Sequence, residues 1–223
     1  MRALVLDSST EKGLVAFLEE GKLLECLHLP HGFQSSDYLL EELQKGMRSL
    51  SFALSDLNFI CVGVGPGSYT GLRVAAIAAK TLSVALQIPL VAISTLRSFI
   101  PTDAGLTFAV LIDAKIGGVY LQIGHLNANG CVTYHGEPCM VSIEKSKELL
   151  LEVPLIVTPN ASSLKAKYGD SMSHCVWQEL YPSPLHMYKS GLQNYLQNDF
   201  TIDGHLQLLY MRKTQAEIEK SLD

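Results

Sequence analysis

Two short segments place an aspartate at the end of an apolar run with a tight turn directly after it. Ala3–Leu6 runs into Asp7 and the turn Ser8-Ser9-Thr10-Glu11-Lys12-Gly13, after which Leu14–Leu18 is apolar again. Phe108–Ile112 runs into Asp113 and the turn Ala114-Lys115-Ile116-Gly117-Gly118, and Val119–Ile123 follows. An aspartate in that place can orient a metal-bound water or cap the turn's amides, and two such turns facing across a cleft can grip phosphates. Either one alone reads first as a turn-former. The pairing, close to half the chain apart, raises the functional reading and suggests an internal duplication.

The densest candidate is Gly63-Val64-Gly65-Pro66-Gly67-Ser68-Tyr69-Thr70-Gly71-Leu72-Arg73, which enters the alanine-rich stretch Val74–Leu82. A strand, a glycine turn and a helix start together offer backbone amides to an anion. Asp7, Ser9, Thr10, Gly65, Gly67, Asp113 and Gly117 are therefore the candidate nucleotide or anion contacts. The spacing fits neither standard nucleotide motif: no Lys follows a glycine as in a P-loop, and Ser68 stands where a dinucleotide fingerprint needs its third glycine. A plainer reading weighs equally by spacing alone. In it, Gly65, Gly67 and Gly71 permit a sharp turn and tight packing, while Ser68 or Thr70 caps the helix.

The elements that must position these residues read as α/β. Ser36–Leu50 is an amphipathic helix with Leu39, Leu40, Leu43, Met47 and Leu50 on its apolar side. Phe59–Val64 is a nearly continuous apolar strand suited to the middle of a parallel sheet. Thr70–Leu86 is a helix kept thin by Ala75, Ala76, Ala78 and Ala79, which suits close approach by another backbone. In the second half, Glu144–Leu151 and Pro182–Gln197 read as helices and Pro154–Val157 as a strand; Thr214–Leu222 reads as a charged helix or arm.

The 223 residues are 48% hydrophobic and only 17% charged, which excludes a disordered tail or a charge-laced coiled coil. A net charge of −5 argues against a chain that binds nucleic acid by itself. Five cysteines without a C-x-x-C pair indicate neither a disulfide framework nor a zinc knuckle, so the thiols read as reduced and mostly structural. No apolar run reaches a membrane span, and Met1-Arg2 leads at once into the first strand, so a soluble, cytoplasmic protein is expected.

The block Gly65-Pro66-Gly67-Ser68-Tyr69-Thr70-Gly71-Leu72-Arg73 closely resembles the G-P-G-S-[FY]-T-G-[LI]-R block of the TsaB (YeaZ) family. Further matches follow in order: Leu4–Thr10, Ile88–Leu96, Asp113–Lys115 with Gly118–Tyr120, and Leu209–Lys213. The resemblance implies an actin-like, Hsp70-like (ASKHA) duplicated fold with two subdomains of mixed sheets and flanking helices. These would span 1–104, bearing the partner-binding helices, and 105–223, whose C-terminal helix is expected to pack back on the first. It also implies a noncatalytic scaffold subunit of the machinery that transfers threonylcarbamoyl to N6 of the tRNA adenosine 3′ of the anticodon.

On that resemblance the partners are the catalytic TsaD as a heterodimer, the ATPase subunit TsaE, and a second copy of the chain when it is alone. The tRNA is reached only through the complex. The expected partner interface is Leu39, Leu43, Met47, Thr70, Arg73, Ala75, Ala76 and Ala79. No cofactor of its own is expected, with ATP or ADP and Mg²⁺ at a subunit interface. TsaD-like proteins hold metal with H-x-x-x-H; no two of the seven histidines have that spacing, and Pro30 within the close pair His28–His31 disfavours a shared ion. No catalytic set assembles, since G-x-S-x-G also fails at Ser68. The chain departs from the family at Ser35-Ser36, where many members have His-Ser, and at Ile156–Ala161, which lacks the superfold's double glycine. The alternative is an ATP-dependent phosphotransferase of the same superfold, with Asp7 and Asp113 flanking a metal-nucleotide.

Overall fold

The computed structural model describes residues 1–30, 38–115 and 117–211. The first half of the chain forms β1 (Arg2–Asp7), β2 (Leu14–Glu19), β3 (Lys22–His28), α1 (Leu39–Ser49), β4 (Phe59–Gly63), α2 (Tyr69–Leu86) and β5 (Leu90–Ile93). The second half forms β6 (Leu106–Asp113), β7 (Val119–Leu126), β8 (Val132–Val141), α3 (Ile143–Leu149), β9 (Leu155–Thr158), α4 (Ala161–Tyr168), β10 (Val176–Glu179) and α5 (Pro184–Leu196). The sheets are ordered β3-β2-β1-β4-β5 and β8-β7-β6-β9-β10. In each, an antiparallel hairpin and a third antiparallel strand flank two parallel strands, so the second sheet repeats the first element by element. This is the duplicated α/β fold expected from the paired aspartate hairpins.

Burial follows the period-two geometry of a strand. In β1, Leu4 and Leu6 face the layer of α1 and α2, whereas Ala3 and Val5 face the layer of α5. Val15 and Phe17 of β2 likewise point one way, and Leu14, Ala16 and Leu18 the other. Both faces are covered, which is why β4 is apolar at every position. The second sheet is covered on one face by α3 and α4, with Leu150, Leu164 and Tyr168, and on the other by Leu96 and Phe99 from the connection after β5.

The helices start where side chains can satisfy free amides. Ser68 Oγ accepts from Gly71 N in α2, Ser142 from Lys145 N in α3, Asn160 from Ser163 N in α4 and Ser183 from His186 N in α5. Helix α1 has no side-chain cap, but Glu41 and Glu42 in its first turn and Arg48 in its last complement its dipole.

Four strands, β3, β5, β8 and β10, and the helix α4 go beyond the sequence reading. Strand β3 has exposed and half-buried residues in succession, without the alternation that marks a strand facing one core. Helix α5 lies on the first sheet although it belongs to the second half of the sequence, because Met187 and Tyr188 complete the layer over Val5 and Phe59. The start of the expected helix at Ser36, the Ser35-Ser36 departure and the arm Thr214–Leu222 lie outside the described residues. The five cysteines are free, with Cys131 and Cys139 exposed, so those two are not packing residues.

Candidate functional site

Asp7, at the end of β1, is completely buried and sits in a ring of hydroxyls. Its Oδ1 accepts from the Ser9 amide at 2.8 Å and from Ser9 Oγ at 2.5 Å, and Thr95 Oγ1 lies 2.9 Å from its Oδ2. Ser9 Oγ and Thr95 Oγ1 are themselves 2.9 Å apart. Each hydroxyl has one hydrogen, so all three contacts close only when Asp7 carries a proton. Asp7 then donates to Thr95, Thr95 to Ser9, and Ser9 back to Asp7. Burial pushes the Asp7 carboxyl above its usual range, against the opposing pull of the Ser9 and Thr95 hydrogen bonds. Thr95 also accepts from Gly65 N at 3.2 Å, tying the glycine loop to the same ring.

The glycine loop rests directly on the β1–β2 turn. Gly67 lies against the Ser9 carbonyl and Gly71 against that of Ser8 so closely that a Cβ at either would occupy the oxygen's place. Ser68 N donates to the Ser9 carbonyl at 2.6 Å, and Ser8 Oγ donates to the Gly71 carbonyl at 2.7 Å. The amides of Gly65, Ser68 and Gly71 are thus taken by Thr95 Oγ1, the Ser9 carbonyl and Ser68 Oγ. A phosphate needs such amides pointing into open space. Here the space left by Gly67 and Gly71 holds the chain's own backbone, and these three amides are already committed within the chain.

Asp113 belongs to the second sheet, and its partners are separate from those of Asp7. Oδ1 accepts from Lys167 Nζ at 2.6 Å and from Lys115 N at 2.7 Å, while Oδ2 accepts from Ser163 Oγ at 3.1 Å. Burial works to raise this carboxyl, but the Lys167 hydrogen bond, the Lys115 amide and the two lysine charges outweigh it and hold Asp113 below the usual carboxylate range. The two aspartates, alike in sequence, are therefore opposite in charge preference. Thr10 is buried and accepts from Lys12 N, and Gly117 is exposed beside Met140. Lys167 and Ser163 escaped the sequence reading, because nothing in α4 marks a side chain aimed at a carboxylate fifty residues earlier.

The expected partner face divides sharply. Leu39, Leu43, Ala75, Ala76 and Ala79 are in the core of this chain, and Met47 packs on that core. Their small or apolar side chains serve the approach of α1 and α2 to the first sheet. Thr70 and Arg73 are exposed. They share the outer side of α2 with Tyr69, Ile77 and Val84, of which Ile77 is 63% exposed. Arg73 lies over the Tyr69 ring at 3.9 Å and donates to Tyr210 Oη at 3.3 Å.

Among the described residues no group of three or more His, Cys, Asp or Glu side chains is placed to hold a metal ion, and no helix is long and apolar enough to cross a membrane.

Residues 34–167, more than half of the chain, match the family model described as TsaD, tRNA N6-adenosine threonylcarbamoyltransferase. The tRNA threonylcarbamoyladenosine biosynthesis protein TsaB of Escherichia coli is 29% identical over 142 residues, covering 61% of this chain and 60% of that protein. The protein of the same name from Bacillus subtilis is 41% identical over 76 residues, or 33% of each chain. The matched stretches therefore span less than two thirds of these relatives. The structure of YeaZ from Pseudomonas aeruginosa aligns over 94% of this chain and 99% of that one, with a TM-score of 0.76 at 22% identity, and so shares its fold.

Proposed function

Since the chain belongs to the family described as TsaD, tRNA N6-adenosine threonylcarbamoyltransferase, and within it to the TsaB (YeaZ) proteins, we propose that it serves tRNA threonylcarbamoyladenosine biosynthesis as a noncatalytic scaffold. In this reading it pairs with a catalytic TsaD subunit, an ATPase subunit TsaE joins the assembly, and the chain pairs with itself when TsaD is absent. The tRNA is bound only through the complex, in keeping with a net charge of −5. Any ATP or ADP with Mg²⁺ belongs to a subunit interface.

The observation that carries this reading is the outer side of α2. It presents Tyr69, Ile77 and Val84, each more than two fifths exposed, around Arg73. Aromatic, arginine and branched apolar groups gathered on one helix face are the composition of an interface centre rather than of ordinary surface. The glycine loop supports the scaffold role as well, because the Ser68 amide bonds the Ser9 carbonyl and Ser8 Oγ bonds the Gly71 carbonyl, and together they fix the start of α2 against the β1–β2 turn.

The test is size-exclusion chromatography with light scattering of the wild type and Ile77→Glu, alone and mixed with the TsaD of the same organism. The expected result is a self-dimer replaced by a one-to-one complex for the wild type, and a monomer that binds nothing for the variant. A variant that still pairs with TsaD would overturn the assigned face. A wild type that pairs with nothing would overturn the scaffold reading.

A further inference from the structure

Two connections among the described residues carry the chain between its two sheets. The first crossing follows β5 through Leu96–Ser98, and the second follows β10 through Leu180–Ser183. The crossings touch where Ser183 N donates to the Ser98 carbonyl at 2.7 Å. Two adjacent crossings make a hinge unless something away from them holds the sheets together.

That second contact comes from Lys12 in the β1–β2 turn. Its side chain is 11% exposed and its Nζ reaches Glu179 Oε1 at 2.9 Å. The ammonium also lies 4.9 Å from the centre of the Tyr181 ring, which stacks on His28 of β3 at 3.8 Å. Glu179 ends β10, and its Oε2 accepts from Ala161 N at 2.8 Å, at the positive end of α4. One carboxylate thus joins the first turn of the first sheet to the first helix amide beside the second. The cation is nearly dry, whereas Glu179 is 43% exposed and open to ions.

We propose that Lys12 and Glu179 form an electrostatic clasp that fixes the angle between the two sheets, and that dissolved ions competing for Glu179 loosen it. A buried ammonium deprived of its carboxylate draws water in, so the β1–β2 turn and the start of α4 separate together. The hydrogen bond at Ser98 and the Tyr134 hydrogen bond to the Arg97 carbonyl at 2.7 Å lie beside the crossings and remain as the pivot.

Amide hydrogen exchange of the full chain, read by mass spectrometry at about 0.05 M and about 1 M sodium chloride, tests this. In the wild type, high salt is expected to speed exchange roughly tenfold in residues 8–13, 159–163 and 179–183, leaving β1, β4, β6 and β9 unchanged. Lys12→Met and Glu179→Gln are expected to exchange fast in the same segments at low salt and to respond no further. Wild-type exchange there that ignores salt overturns the clasp, as does faster exchange in either variant spread evenly over both sheets. Should Lys12→Met not fold, the wild-type salt comparison and Glu179→Gln still decide.

Discussion

Thr95 Oγ1 stands 2.9 Å from Asp7 Oδ2, linking the first strand of the chain to a residue that follows β5. Asp7 is sealed from water, so this bond and its two neighbours form a ring whose hydrogens are complete only with the acid protonated. A carboxyl raised in the native state binds its proton in a pH range where the unfolded chain has lost it. Its contribution is present below the unfolded value, near 4, and is lost as pH rises through the native value.

Asp7→Asn copies the protonated acid, with Nδ2 donating to Thr95. Urea unfolding at a series of pH values is expected to show the variant gaining on the wild type as pH rises from about 4 towards 8. Asp7→Ala leaves two buried hydroxyls short of a partner and is expected to be roughly 2–4 kcal/mol less stable than Asp7→Asn, with a difference that does not change with pH because neither variant titrates there. A wild-type to Asn difference that is flat with pH would show that Asp7 is ionised in the fold.

Gly71→Ala places a methyl group on the Ser8 carbonyl. Both are backbone sites, so neither side can rotate away, and the turn and α2 must part. A loss of about 3 kcal/mol or more in chemical denaturation is expected. A loss below about 1 kcal/mol would mean that the loop is looser than its contacts.

Burial, with the charge of Lys189, pushes His186 down to about 4. The Tyr134 hydroxyl donates to the Arg97 carbonyl, so His186 Nε2 must carry the hydrogen in its 3.3 Å contact with Tyr134. The unfolded chain takes up a proton below about 6.5 that the native imidazole refuses, so this site removes stability as pH falls from there towards 4. His186→Gln is expected to flatten that part of the profile, by at most about 3 kcal/mol. Parallel profiles for variant and wild type would rule the site out as the cause.

The five thiols divide by access. Dithionitrobenzoate at pH 8 is expected to react promptly with Cys131, more slowly with Cys139, whose thiol burial raises beside the Leu121 carbonyl, and with Cys61 only after unfolding, because burial both shields that thiol and raises it far above its ordinary value. Peptide mapping of the labelled protein reads the order, and early labelling of Cys61 would contradict its place beneath Gly191.

Ala79 and Ile77 are two residues apart on α2 and face opposite ways. Ala79→Glu is expected to unfold the chain, since a carboxylate would enter the core beside Leu4 and Ile60. Ile77→Glu is expected to shift stability by less than about 1 kcal/mol. Circular dichroism on heating separates the two, and equal melting would mean that α2 is turned from the orientation described here.

The residue string by itself determined the elements and their repetition. Runs such as Ala3–Leu6 and Phe59–Gly63 form strands wherever they are buried, Ser68 and Ser183 start helices through contacts within one turn, and the two aspartate turns announce the duplication. All of this depends on neighbours a few residues away. Which side of α2 faces outward was not legible, because alanine suits a partner's backbone and the chain's own sheet equally well. Nor was it legible that Asp7 lies dry beside Thr95 while Asp113 is paired with Lys167, since both follow an apolar strand and precede a glycine turn. Lys12 and Glu179 carry no local mark at all. Those outcomes depend on solvent exclusion and on charges brought together from far apart in the chain, and only the packing of the two sheets creates either.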